Sequence, residues 1–333
     1  MPAPSVSVVL PCRNAAESLT ESVQSIRAQT WPDWELILFD DGSTDGSLAV
    51  ARTLAAADTR IRITESPPVG IVRALQEGCR QARGACIARM DADDIAHPDR
   101  LARQMALMTR HADLALCGTG VRLFGDAVGQ GLRRYERWIN RLVTHEDIVR
   151  ELFVECPIAH PTFLLRRSAF DQVGGYQDHG WPEDYDLCMR LFLAGKRFAK
   201  VPEPLLSWRN TPGRLSMHDP RYHPERFQAL KRHYLSMTYL SGRHRFHQWG
   251  AGEVGKRWLR AWGDPKPAAV VDINPRKIGR TIHQIAVIAP DDLPGPGETF
   301  IVVAVGAPGA RAEIRAWLAP RGYVEQEDYA FVA

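Results

Sequence analysis

Three carboxylates crowd into one short stretch of this chain, Arg89-Met90-Asp91-Ala92-Asp93-Asp94. The stretch follows the apolar run Ala85-Cys86-Ile87-Ala88 and precedes His97-Pro98, which should open a helix. Such a cluster is costly unless a cation neutralises it. Hard divalent ions want oxygen ligands, and a phosphate-bearing substrate can complete the shell. The stretch therefore suggests a metal site that handles a nucleotide diphosphate. In an extended segment Asp91 and Asp93 project to the same side and can face one ion. The plain alternative is an acidic turn before a helix whose N-terminus favours anions. Asp94 is expected to be mainly structural, at the start of that helix.

Asp40-Asp41-Gly42-Ser43-Thr44-Asp45 is a second acidic group, placed after the apolar run Trp34-Glu35-Leu36-Ile37-Leu38-Phe39. A carboxylate there can accept a hydrogen bond from a base ring N–H or a ribose hydroxyl. The same pattern also fits an Asx turn with a helix N-cap. A third group, Trp181-Pro182-Glu183-Asp184-Tyr185-Asp186, opens an amphipathic helix. A carboxylate at that edge can act as a general base when a proton lies within reach, and the alternative is again a charge–dipole contact. Gly250-x-Gly252-x-x-Gly255, with Asp272 about 20 residues after Gly252, fits the dinucleotide fingerprint. Its alternative is a domain that uses the glycines only for tight packing, and His247 and Gln248 weaken the strand before it. His160, His218 and His233 are candidate ligands or bases, although isolated histidines are more often structural. Of these, His218, near Arg214 and Ser216, is assigned to a lid over the diphosphate and as a metal ligand.

These residues need a frame. Residues 5–10, 34–39 and 60–64 read as strands, and helical spacing follows each: Leu19, Val23 and Ile26; Leu48, Ala51 and Leu54; then residues 70–82, with Gly84 as C-cap. The apolar run before the aspartate cluster is the fourth strand. This alternation predicts a mostly parallel sheet with right-handed crossovers, whose ligands bind at the carboxyl ends of the strands. Further on, 114–117 and 161–165 read as strands, 126–140 as a loop, 183–194 and 227–240 as helices, and 202–208 as extended. A second α/β unit starts near Arg245, with strands at 268–271 and 301–305 and helices ending near Trp262 and Leu318. The expected division is 1–240 and 245–333.

The 333 residues are 45% hydrophobic and 24% charged with a net charge of +3, an ordinary globular balance that gives no electrostatic argument for nucleic acid. No apolar run approaches the roughly 20 residues that span a bilayer. The first residues lack the charged and apolar regions of a signal peptide. The six cysteines have neither metal-finger nor redox spacing. A cytoplasmic protein with reduced thiols is expected. The arginines of Leu132-Arg133-Arg134-Tyr135-Glu136-Arg137 are read as a solvated face, with an anionic acceptor or the membrane surface as the minor alternative.

The order Ser7-Val8-Val9-Leu10-Pro11, Asp40-Asp41-Gly42-Ser43-Thr44-Asp45, Met90-Asp91-Ala92-Asp93-Asp94, Gly174-Gly175-Tyr176 and Glu183-Asp184-Tyr185-Asp186-Leu187 resembles the family-two glycosyltransferases of the GT-A fold over roughly residues 5–240. The resemblance implies an α/β GT-A domain with a mostly parallel central sheet and helices on both faces. It implies inverting transfer of one sugar from a nucleoside-diphosphate sugar to an acceptor hydroxyl, in bacterial surface glycan or glycoconjugate synthesis. By position, Pro11, Arg13, Asp40, Asp41 and Asp91 would line the nucleotide pocket, Asp91 and Asp93 would hold Mg²⁺ or Mn²⁺, and Asp184 would be the base. A saccharide or lipid-linked acceptor follows, and the inner face of the membrane is where a lipid-linked one would be met. Arg13 stands where many members carry tyrosine, and Glu65-Ser66-Pro67-Pro68-Val69-Gly70 lacks the asparagine often found there. No Gln-x-x-Arg-Trp motif occurs, which argues against a processive polymer synthase. The tail resembles a small Rossmann-like module appended to some bacterial members; the roles open to it are nucleotide binding through Gly250, Gly252, Gly255 and Asp272, association, and positioning of the acceptor. Two alternatives stand beside this: a non-catalytic nucleotide-binding protein, and an NAD-dependent oxidoreductase acting through the tail.

Overall fold

The computed structural model describes residues 3–126, 128–211 and 213–333. Apolar runs without a polar break suit parallel strands covered on both faces. Accordingly β1 (Val6–Cys12) and β2 (Trp34–Asp41) are buried along their whole length. With β3 (Ile61–Ser66), β4 (Cys86–Arg89), β5 (Ile95–Ala96), β6 (Leu114–Phe124), β7 (Leu164–Arg166) and β8 (Arg197–Arg209) they form an eight-stranded sheet of order β3-β2-β1-β4-β7-β6-β8-β5. The pairs β1–β2, β2–β3, β1–β4 and β6–β8 are parallel, whereas β7 runs antiparallel to both neighbours and β5 to β8. Register aligns Cys12 with Asp40 and Val9 with Arg89, so three sequence motifs emerge at the carboxyl ends of adjacent strands.

Helices α1 (Leu19–Arg27), α2 (Ser47–Ala57), α3 (Ile71–Gln81) and α4 (Arg100–Arg110) connect the first strands. The apolar stripe of α3, Val72, Leu75 and Cys79, is buried. Gly78 lets α3 approach the sheet, because a Cβ there would lie 2.6 Å from Val9 Cγ1. Each fully buried Leu, Ile or Val contributes roughly 1.5–3 kcal/mol relative to an exposed one. Gly84 is not the C-cap expected of it. The helix ends in extended Ala82, and Gly84 is needed because a Cβ would sit 2.6 Å from the Ser7 backbone nitrogen.

The expected loop at 126–140, of which residue 127 lies outside the described residues, is largely a helix, α5 (Gln130–Arg141). Ile139 is buried, and Tyr135 and Trp138 pack against the core at helical spacing. Arginine density masked that stripe. After α6 (His145–Glu151), the expected strand at 161–165 begins as a 3₁₀ turn at His160–Thr162 and becomes β7 only at Leu164. α7 (Arg167–Gln172), α8 (Glu183–Leu193) and the single turn α9 (Leu215–His218) follow. All six cysteines are buried and none is bridged. Among the described residues no helix is long and apolar enough to cross a membrane.

The chain divides into two units, 1–148 with 157–220, and 149–156 with 221–333. The division falls at 220/221, ahead of the sequence expectation, so that α10 (Pro224–Met237) and the short excursion 149–156 belong to the second unit. There β9 (Phe246–Trp249), β10 (Ala269–Val271), β11 (Thr281–Ile282), β12 (Ile285–Ile288), β13 (Phe300–Val303) and β14 (Tyr329–Phe331) form a sheet of order β11-β12-β10-β9-β13-β14, parallel except at β11. α11 (Glu253–Ala261) and α12 (Ala310–Leu318) follow β9 and β13. His247 and Gln248, unexpected in a central strand, are both satisfied. His247 Nδ1 lies 2.8 Å from Thr299 Oγ1, and Gln248 Nε2 donates to the carbonyls of Gly250 and Gly255, each at 3.0 Å.

Candidate active site

The loops after β1 and β2 are stapled to each other. Asn14 accepts from Thr44 N–H at 2.8 Å, while Asn14 N–H donates to Ser43 Oγ at 3.0 Å and Ala15 N–H to Ser47 Oγ at 2.8 Å. Gly42 takes φ +66°, and a Cβ would meet Pro68 Cδ at 2.5 Å, so only glycine fits there. Much of the 40–45 motif is therefore turn chemistry. Of its three carboxylates, Asp45 serves the turn, accepting from Ala16 N–H at 3.1 Å and Ser47 N–H at 2.9 Å, which leaves Asp40 and Asp41. Asp41 accepts from the N–H groups of Val69 (2.6 Å) and Gly70 (3.1 Å), fixing the entry to α3. Asp40 is buried, its Oδ2 accepts from Ser43 N–H at 3.2 Å, and its Oδ1 is buried with no partner. A buried acceptor without a donor is rare and costly, so Asp40 Oδ1 is where a ligand N–H or O–H would fit. Pro11 lies buried within β1, and Arg13 is exposed just beyond it.

After β4 the chain turns, and this turn corrects the expected extended geometry. Met90 and Asp91 follow the strand, Ala92 and Asp93 form the bend, and β5 rather than a helix comes next. The turn gathers Asp91, Asp93 and Asp94, with a carboxylate oxygen of each within 4.8 Å of the others. Asp94 belongs to the cluster and does not start a helix. It is fully buried, Oδ1 accepts from Arg209 N–H at 2.8 Å, and Oδ2 has no partner. Burial, then Asp91, pushes the Asp93 carboxyl up to about 6, and burial raises Asp94 well above the carboxylate range. Asp91 is ion-paired with buried Arg89. Raised acids and an orphaned oxygen are what a hard cation relieves, so the donor set fits Mg²⁺ or Mn²⁺.

Four arginines that the sequence did not single out as site residues surround the turn. Buried Arg100 donates to the Arg89 carbonyl at 2.7 Å. Arg209 donates to the Asp93 carbonyl at 2.7 Å and pairs with Glu21 at 2.6 Å. Arg214 lowers the Asp93 carboxyl by its charge, against the effect of burial and Asp91, and Arg89 pairs with Asp91. One signal was present in the sequence: Arg100 occupies the stripe of α4 where Leu101, Gln104 and Met108 are buried.

α8 sorts the three acids of the other motif. Asp186 is fully buried, accepting from Trp181 Nε1 and Arg190 Nε at 2.8 Å each. Glu183 is buried 3.8 Å from His160 Nδ1. His160 is held neutral, mainly by burial, with Nε2 2.7 Å from the Tyr176 hydroxyl. Asp184, half-buried, alone keeps exposure, and its Oδ1 accepts from Tyr185 N–H at 2.8 Å. His218 is exposed on α9, and the carboxylate cluster does not include it.

Residues 7–174 match the model of the family described as glycosyl transferase family 2. The chain belongs to that family. As a family 2 glycosyltransferase it is 34% identical over 207 residues to "Putative glycosyltransferase EpsE" of Bacillus subtilis, covering 61% of this chain and 72% of that one. It is 29% identical over 206 residues to "Amylovoran biosynthesis glycosyltransferase AmsE" of Erwinia amylovora, covering 62% and 75%. Among solved structures, S. aureus TarS 1-349 in complex with UDP-GlcNAc superposes with a TM-score of 0.57 at 18% identity, covering 71% of this chain and 67% of that one. The mannosyltransferase PcManGT from Pyrobaculum calidifontis, in complex with GDP-Man and Mn²⁺, gives 0.52 at 16% identity, covering 72% and 76%. At these identities the structures speak for the fold, a GT-A-type α/β domain with a mostly parallel sheet. The glycosyltransferase carries its acidic triad at the strand ends of that sheet.

Proposed function

We propose that this glycosyltransferase moves one sugar from a nucleoside-diphosphate sugar to an acceptor hydroxyl with inversion, in the assembly of a bacterial surface polysaccharide. The observation that carries this reading is the triad of Asp91, Asp93 and Asp94 within 4.8 Å, with Asp94 Oδ2 unpartnered. A relative named for amylovoran biosynthesis and another named an O-antigen biosynthesis glycosyltransferase support the setting. A saccharide or lipid-linked acceptor suits it.

Asp93 and Asp94, with Asp91, would hold Mg²⁺ or Mn²⁺, which supplies positive charge against that growing on a leaving diphosphate. Asp40 Oδ1 takes a hydrogen bond from the nucleoside, and Arg214 faces the diphosphate. Asp184 takes the proton from the acceptor hydroxyl as its oxygen forms a bond to the anomeric carbon. The bond to the diphosphate oxygen breaks on the opposite face, and the leaving group carries away the electron pair. One displacement needs one base and no nucleophilic carboxylate, so configuration inverts and no glycosyl-enzyme forms.

The test is Mn²⁺-dependent release of nucleoside diphosphate from a panel of sugar nucleotides. Release should vanish in Asp93→Ala with folding retained. Normal turnover in that variant removes the metal assignment.

A further inference from the structure

The second unit holds a cavity of about 480 Å³ that the transfer reaction does not use. It opens at the carboxyl ends of β9, β10 and β13, between the starts of α11 and α12. In order along the chain, the parallel strands lie 3-2-1-4-5, and the crevice sits beside β9 and β13, where the crossovers reverse direction. Open α/β sheets bind ligands at that point.

The three glycines separate packing from binding. Gly250 takes φ +115°, and a Cβ there would lie 2.6 Å from the Ala304 carbonyl. Gly255 would bring a Cβ against the Gly250 carbonyl. Both serve the fold. Gly252 is ordinary extended backbone, φ −81°, and a Cβ there would meet nothing within 4 Å. It lines the cavity, so its missing side chain leaves space for something outside the chain. Ile273 lines the same cavity and is 74% exposed, an apolar surface with no cover from the chain. Trp249 and Trp317, 5.2 Å apart and edge-on, supply the aromatic part of the wall.

Of the charged residues that line the cavity, Glu253, Asp272 and Glu313 are acids and Lys277 is the base. Asp272 meets Lys277 at 3.0 Å and also accepts from Ala251 N–H (3.0 Å) and Asn274 N–H (2.8 Å). These bonds leave one Oδ1 lone pair free. Glu253 faces solvent and Lys256 at 3.6 Å. We propose that this cavity binds a nucleoside carrying a pyrophosphate, with its base against Ile273, its ribose at Asp272 and Lys277, and its phosphates over Gly252. A dinucleotide and a sugar nucleotide share that chemistry.

The experiment titrates NAD⁺ and, separately, UDP-N-acetylglucosamine into the full chain in EDTA, followed by calorimetry. At least one should bind with a Kd below about 1 mM. Gly252→Val should weaken it about tenfold or more, and Ile273→Ser severalfold, with melting temperature and Mn²⁺-dependent transfer unchanged. Binding of NAD⁺ alone marks a dinucleotide site, and binding of the sugar nucleotide alone a second donor-type site. No binding of either, or binding indifferent to both variants, overturns the proposal. Neither outcome depends on the metal or on Asp93, so failure here leaves the transfer reading intact.

Discussion

Asp93 sits in an environment built against its own charge. An isolated carboxyl titrates near 4, and burial beside Asp91 moves this one to about 6. A raised acid favours folding in its protonated form. Its contribution is therefore fully present below about pH 4 and is lost as pH rises through about 6. Metal-free Asp93→Asn should melt about 2–4 °C higher than the parent chain at pH 7.5 and at the same temperature near pH 4, read by thermal unfolding in EDTA. An equal shift at both pH values would show that Asp93 is not strained by ionisation. Asp184 is argued differently. It alone of the α8 acids keeps exposure, while Asp186 is spent on Trp181 and Arg190. Asp184→Asn should lower kcat by about 10²–10⁴-fold with donor KM near its parent value. Asp186→Ala should instead cost about 1–3 kcal/mol of stability, measured by urea unfolding. If transfer survives in Asp184→Asn, the base lies elsewhere.

Elements hold these residues through close backbone approaches that side-chain patterns do not advertise. Gly84 is such a case: Gly84→Ala places a methyl 2.6 Å from the Ser7 nitrogen, in a stretch where Ser7 Oγ accepts from Gly84 N–H at 2.7 Å. We expect a loss of about 1–3 kcal/mol by urea unfolding. A variant as stable as the parent would mean that β1 and the α3–β4 turn are not packed this tightly. The sequence announced Gly84 as punctuation but could not say which physical demand it met. The same holds more widely. β1 and β2 were legible because their Val, Ile and Leu runs, interrupted only by Ser7 and Glu35, suit parallel strands covered on both faces. α5 was not, because four exposed arginines hid Tyr135, Trp138 and Ile139. The acidic site was legible in its residue types and opaque in its geometry. Asp91 and Asp93 could be picked out as carboxylates, but a turn, not a strand, brings Asp94 to them. Of the four arginines around the turn, Arg89 ends β4 within the motif, whereas Arg100, Arg209 and Arg214 come from α4, β8 and the segment after β8, beyond the reach of any local motif.

At the scale of the molecule, a cut that looks natural in the sequence runs through a unit in the structure. The second unit is built from two stretches of chain. In the short one, Glu151 is buried against Arg311 at 2.5 Å and Arg315 at 3.0 Å, and Arg315 also meets Glu325 at 2.8 Å. Leu152 and Phe153 are buried beside it, Phe153 packs against Tyr239 at 5.3 Å, and Lys231 donates to the Val154 carbonyl. A chain truncated after residue 240 keeps every transfer motif yet removes both arginines and β9–β14. Glu151 then loses the two arginines that pair with it, and removing the partners of a buried carboxylate is destabilising. Val154 loses the apolar cluster, from Trp249 to Phe331, against which it packs. The truncated chain should therefore be insoluble or bind a hydrophobic dye, whereas Glu151→Gln in the full chain, which keeps shape and apolar cover, should fold and lose about 3 kcal/mol or less. A truncated chain that unfolds cooperatively and transfers sugar at the parent rate would show that 149–156 does not need the second unit.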